Sequence, residues 1–177
     1  MRNPLRILKL LAKVRRPSRV DNMTAVLDGF WLRRNYQALT FFGFIVCRTE
    51  DVVRRLNEGV SQGEVTPGKD KGADSQGYAY AVMKNHETIH LRQAQACHNS
   101  WLCFYLLYIW YYLRALPQNR QLKNAAYVLN PFEMEAYEHE RDFDYLADKQ
   151  GGTNGWRDYA RLSPRERLRL KTQVSMN

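Results

Sequence analysis

The chain has 177 residues, 45% of them apolar and 12% aromatic; this excludes a disordered composition and suits one domain with a modest core. Lys and Arg number 27 against 18 Asp and Glu, a formal net charge of +9, and much of the excess lies at the two ends. The three cysteines, Cys47, Cys97 and Cys103, form no C-x-x-C pair, which argues against a disulfide scaffold and against a cysteine zinc knuckle, leaving reduced, mostly buried thiols as the expectation.

Residues 1–20 carry Arg2, Arg6, Lys9, Lys13, Arg15, Arg16 and Arg19 and no acidic residue. They read as a basic arm, with a short amphipathic helix that Pro17 ends. Lys9 and Lys13 interrupt the apolar run, and no small-residue cleavage site follows, so a secretory signal is not expected. The expected location is the cytoplasm, with peripheral attachment to the inner membrane as an option. Basic ends of this kind are solvated or drawn to an anionic membrane surface. Without a ladder of basic and aromatic residues, specific nucleic-acid binding is disfavoured.

Ala38 to Val46 is short, apolar and rich in aromatic and β-branched residues, which predicts one buried strand. Glu50 to Asn57 is polar and reads as a helical turn. Ser61 to Gly77, with Gly63, Pro67, Gly68, Gly72 and Gly77, reads as a loop. A helix is predicted from about Tyr80 to about Asn99, with Val82, Ile89 and Ala96 as its packed stripe. Ser100 is placed to cap the next helix.

Trp101 to Leu116 is apolar nearly all round and would span about 24 Å, less than a hydrocarbon core of about 30 Å. A core helix or one lying at a membrane interface fits better than a spanning one, although extension back through Cys97 would lengthen it. Asn130-Pro131 signals a helix start. The helix is predicted to run from about Phe132 to Lys149 and to end at Gly151-Gly152. Ser163 and Glu166 form a capping box for a last basic helix. The expected organisation is a basic arm over 1–20, a domain over 21–150 and a basic tail over 151–177.

The chemistry concentrates in His86-Glu87-Thr88-Ile89-His90. Histidines four apart on a helix share one face, so both imidazoles reach one ion. Glu87 beside them can hold a water and take its proton without ligating the ion. That is the division of labour in the H-E-x-x-H zinc hydrolases. A catalytic zinc needs a third protein ligand. Gln93 and Ala96 stand where a metzincin would have Gly and His, which excludes that class. The acidic stretch Glu133 to Glu140 is the better source, with Glu133 preferred and Glu135 the alternative. Tyr137, four residues after Glu133, shares its face; it is either a donor to a developing oxyanion or a packed tyrosine. His98 and His139 read as structural or surface histidines.

Glu133-x-x-Ala136, after the motif helix, resembles the third-ligand helix of gluzincins, in which the small residue lets two helices pack closely. Tyr137 stands where many gluzincins have Asp. The stretches Asn85 to Gln93 and Phe132 to Tyr137 also resemble a group of small bacterial proteins frequent in Bacteroidetes. The resemblance covers about residues 36–146. It implies a mainly helical α+β, minimal zincin-like domain: a small sheet, a motif helix and a crossing glutamate helix. It also implies Zn2+ on His86, His90 and Glu133, with Glu87 as general base acting on a peptide or protein substrate. The missing Asp leaves the support of one histidine ligand to Glu135 or Glu140. Zincins often bind peptides along a sheet edge, and the Ala38 to Val46 strand is the candidate edge. A catalytically inactive zinc-binding or membrane-surface protein of the same fold is the competing expectation.

Overall fold

The computed structural model describes residues 16–17, 23–26, 38–61 and 74–174. Most of the basic arm and of the glycine-rich loop lies outside the described residues. Three short strands, β1 (Met23–Val26), β2 (Ala38–Phe41) and β3 (Phe44–Cys47), form one sheet in the order β1-β3-β2. β3 is central; it pairs in parallel with β1 and antiparallel with β2, with Phe41 opposite Phe44 and Ala38 opposite Cys47. The helices are α1 (Glu50–Ser61), α2 (Asp74–Ala96), α3 (Trp101–Ala115), α4 (Ala125–Val128), α5 (Pro131–His139), α6 (Trp156–Arg161) and α7 (Pro164–Val174). A 3-10 turn, Leu116–Arg120, follows α3. The chain is mainly helical with a small sheet, as expected.

The single strand predicted over Ala38 to Val46 is instead a hairpin. Phe42 and Gly43 form its two-residue turn with φ of 45° and 88°. Turns with two left-handed residues match the twist of paired strands, and glycine adopts that conformation without strain. Phe42 is held there by Tyr105: its ring lies 4.8 Å from the Tyr105 ring, and its N–H donates to Tyr105 Oη at 2.9 Å. The fold therefore makes β2 an edge strand and β3 the buried central one.

α2 starts at Asp74, several residues earlier than predicted. Its centre is buried on more than one side, since the sheet packs on one flank and α5 on another. This explains why Ile89 is buried while Val82 and Ala96 are partly exposed. His98 and Asn99 turn the chain with φ of 57° and 52°, which separates α2 from α3 and removes any continuous helix through Cys97. Ser100 caps α3 by accepting from the N–H of Cys103 at 3.3 Å. Among the described residues, no helix is long and apolar enough to cross a membrane.

α5 ends at His139 and not near Lys149. The Asn85 side chain donates to the carbonyls of His139, Glu140 and Asp142 at 3.0–3.1 Å. These are the acceptors that a helix end leaves free, and engaging them from α2 turns the chain away. Gly152 does not cap that helix. It has φ of 106° and lies against α2, where a Cβ would come within 2.6 Å of Arg92 O and Ala96 N. The chain beyond it is no separate tail. Trp156 joins Leu91, Phe104 and Phe132 in the main core, and Leu168 packs with Ala115, Ala125 and Leu129. The capping box of α7 forms as predicted, with Ser163 N to Glu166 Oε2 at 2.7 Å and Glu166 N to Ser163 Oγ at 3.3 Å. All three cysteines are free; Cys47 and Cys97 are buried, and burial raises both thiols to about 12.

Candidate metal centre

The helical spacing of His86 and His90 puts their rings 4.9 Å apart on one face of α2. α5 brings Glu133 against that face. Its first turn is set by Asn130, whose Oδ1 accepts the N–H of Phe132 at 3.2 Å and whose Nδ2 donates to Tyr108 O at 3.0 Å, tying α5 to α3. His86 Nε2 lies 3.4 Å from Glu133 Oε2, and His90 Nε2 lies 3.4 Å from Glu133 Oε1. All three residues are buried. Ala136, one turn beyond Glu133, is fully buried.

The distal nitrogens define the tautomers. Gln93 Nε2 donates to Phe132 O at 2.9 Å and to Glu135 Oε2 at 2.8 Å, which turns Gln93 Oε1 toward His90 Nδ1 at 2.8 Å. His90 Nδ1 therefore carries the proton. Glu140 Oε2 accepts from His86 Nδ1 at 3.0 Å in the same way. In a neutral imidazole so arranged, Nε2 presents a lone pair. Both lone pairs face the Glu133 carboxylate, so the group calls for a cation: protons on the rings or one metal ion. Burial opposes charge on His86, but Glu133 and Glu140 raise its pKa to about 10. Burial also opposes charge on Glu133, yet the two histidines hold its carboxyl far below the usual range.

Two further observations fit a metal ion. Glu133 Oε2 is buried with no hydrogen-bond donor among the described residues, whereas Oε1 accepts from Tyr108 Oη at 2.6 Å. A tetrahedral ion with ligand atoms at about 2.1 Å separates those atoms by about 3.4 Å, the spacing found between Glu133 and each histidine. Two imidazole nitrogens and a carboxylate oxygen are the donor set of His₂Glu catalytic zinc sites.

Glu135 has a different task. Its carboxylate accepts from Gln93, Tyr145 Oη at 2.7 Å, Thr153 Oγ1, and the N–H groups of Gly155 and Trp156, both at 3.0 Å. With five donors it is fully engaged on the far side of Gln93. The two histidines are thus supported by Glu140 directly and by Glu135 through Gln93, which answers the question left by Tyr137 in the place of Asp.

Glu87 follows His86 on α2 and is buried like the histidines. Thr40 Oγ1, from edge strand β2, donates to Glu87 Oε2 at 2.6 Å. A cleft of about 450 Å³ opens at this point, lined by Leu39 and Thr40 of β2, by Glu87, His90 and Glu133, and by a wall of tyrosines that includes Tyr105, Tyr108 and Tyr127. Tyr137 packs its ring against His86 at 4.8 Å and lies outside this lining. His139 stacks on Tyr145 at 3.6 Å, and exposed His98 occupies the turn after α2; neither joins the metal group.

No family model, curated relative or solved structure matches this chain. Sequence reading missed Thr40, Gln93, Tyr108 and Tyr127. Gln93, three residues after His90, was open to detection by helical spacing. The others reach the site through long-range packing and have no local signature.

Proposed function

We propose that this protein is a zinc-dependent hydrolase, a gluzincin-like metallopeptidase, with His86, His90 and Glu133 as metal ligands and Glu87 as general base. The observation that carries the reading is the pair of Nε2 atoms, each 3.4 Å from a separate oxygen of Glu133, at the end of a cleft that Glu87 also lines. A structural site has no use for a carboxylate placed beside its ligands and facing open space.

When bound there, zinc lowers the pKa of a water and polarises a carbonyl. The protein residues supply the rest. Thr40 holds one oxygen of Glu87, which leaves the other to take a water's proton and to pass it to a leaving amine. Glu140 and Gln93 keep both histidines in the tautomer that presents Nε2. Tyr127, whose hydroxyl is pushed to higher pKa chiefly by burial and then by Glu133, stays protonated in the wall of the cleft. Edge strand β2 borders the cleft, and an extended peptide can lie along it by strand addition.

Metal analysis of purified protein tests the ligand set. The expected outcome is one zinc per chain, lost in His86→Ala. A folded, metal-free wild type that takes up no added zinc overturns the reading. Glu87→Gln is expected to keep the metal and lower peptide hydrolysis by about 10²–10⁴-fold; unchanged hydrolysis overturns the role of Glu87.

A further inference from the structure

α3 has two working faces. Phe104, Tyr105 and Tyr108 point into the core and the cleft. The opposite side carries Leu102, Leu106, Ile109, Trp110, Leu113 and, just beyond the helix, Leu116. These are 66, 60, 52, 56, 52 and 38% exposed. Their spacing, with steps of three and four, lays them along one stripe. Isolated exposed leucines are ordinary, but a continuous row with a tryptophan in it marks a contact surface.

Charge selects the partner. From Thr88 to Phe132 the sequence has no Asp or Glu, while Arg114, Arg120 and Lys123 follow the stripe at its C-terminal end. Arg114 lies over the Trp110 ring at 5.9 Å. Arg114, Arg120 and Lys123 are all exposed, and no carboxylate lies in the stretch that carries them. A second copy of this basic chain would bring more positive charge to the same place. An anionic lipid surface supplies phosphates for these exposed basic residues and an apolar layer for the leucines, with tryptophan at the boundary between them.

We propose that the outward face of α3, with the exposed Arg114, Arg120 and Lys123 at its end, docks this protein on a negatively charged bilayer. The contact is interfacial, with the helix lying along the surface. Tyr112 belongs both to the exposed side and to the cleft lining, so docking sets the cleft beside the bilayer. The proposal does not depend on the hydrolase reading, since none of the stripe residues touches the metal ligands.

Co-sedimentation of the full chain with vesicles tests it, using phosphatidylcholine alone and phosphatidylcholine mixed with phosphatidylglycerol. The wild type is expected to bind the mixed vesicles at least about tenfold more tightly than the neutral ones. The double variant Leu106→Gln with Trp110→Gln replaces exposed side chains; it should keep its circular dichroism and Tm while losing about tenfold or more in binding. Arg114→Gln should weaken binding to the mixed vesicles and leave the neutral ones unchanged. Wild-type binding to neither vesicle overturns the proposal, as does undiminished binding by the folded double variant. A wild-type dimer in light scattering that the double variant breaks assigns the stripe to a second copy and also overturns it.

Discussion

Zinc is expected to stabilise this fold through a bridge between two helices. His86 and His90 lie on α2 and Glu133 on α5, and only the folded chain gathers the three within 4.8 Å of one another. Binding to the folded state alone adds RT ln(1 + [L]/Kd), about 2.7 kcal/mol at a hundredfold excess over Kd. For a chain of this length each kcal/mol moves Tm by about 2–4 °C. The expected rise is therefore about 5–10 °C when chelated protein is loaded with zinc. Glu133→Gln keeps the shape but removes the negative ligand, and should reduce that rise to about 2 °C or less. Thermal melts followed by circular dichroism, with and without a chelator, measure both quantities. A zinc-induced rise of equal size in wild type and in the His86→Ala/His90→Ala variant would refute the reasoning.

Glu135→Gln tests the separate task of Glu135. It removes acceptor capacity from five donors, three of them buried, and should cost at least about 3 kcal/mol of stability. The zinc-induced increment should survive, and its loss would show that Glu135 also ligates. Thr40→Val removes the hydroxyl that holds Glu87; it should lower kcat about tenfold with zinc content unchanged, and an unaltered kcat would sink the positioning role. In chelated protein the pKa of His86 is raised to about 10 by Glu133 and Glu140 against the effect of burial. A raised histidine stabilises fully below its unfolded pKa of about 6.5 and loses that contribution as pH rises toward 10. Glu133 is lowered, so its contribution is present above about pH 4.5 and is lost below it. The Tm of chelated protein should therefore peak between about pH 5 and 6.5. The increment due to zinc should grow from pH 6 to 8 as the metal displaces protons. A chelated Tm that climbs steadily from pH 6.5 to 10 would contradict this.

Local chemistry was legible in the sequence where contacts are local. The spacing of His86 and His90 fixes a shared face in any helix. Asn130-Pro131 and the Ser163–Glu166 box specify helix starts through bonds that close within three residues. Reduced thiols follow from cysteine spacing. Other features depended on distant partners. Gly43 permitted a hairpin, but the apolar run alone read as one strand, since periodicity cannot see a turn that Tyr105 stabilises from another helix. The end of α5 is decided by Asn85, some fifty residues earlier. Both Glu133 and Glu135 lie in an acidic helix that the sequence offers as a ligand source. Only the packing of α5 on α2 turns Glu133 to the histidines and gives Glu135 to the backbone around Gly155. The exposed stripe of α3 was hidden for the same reason: its composition is apolar on every side, and the tertiary fold alone chooses which side is left facing out.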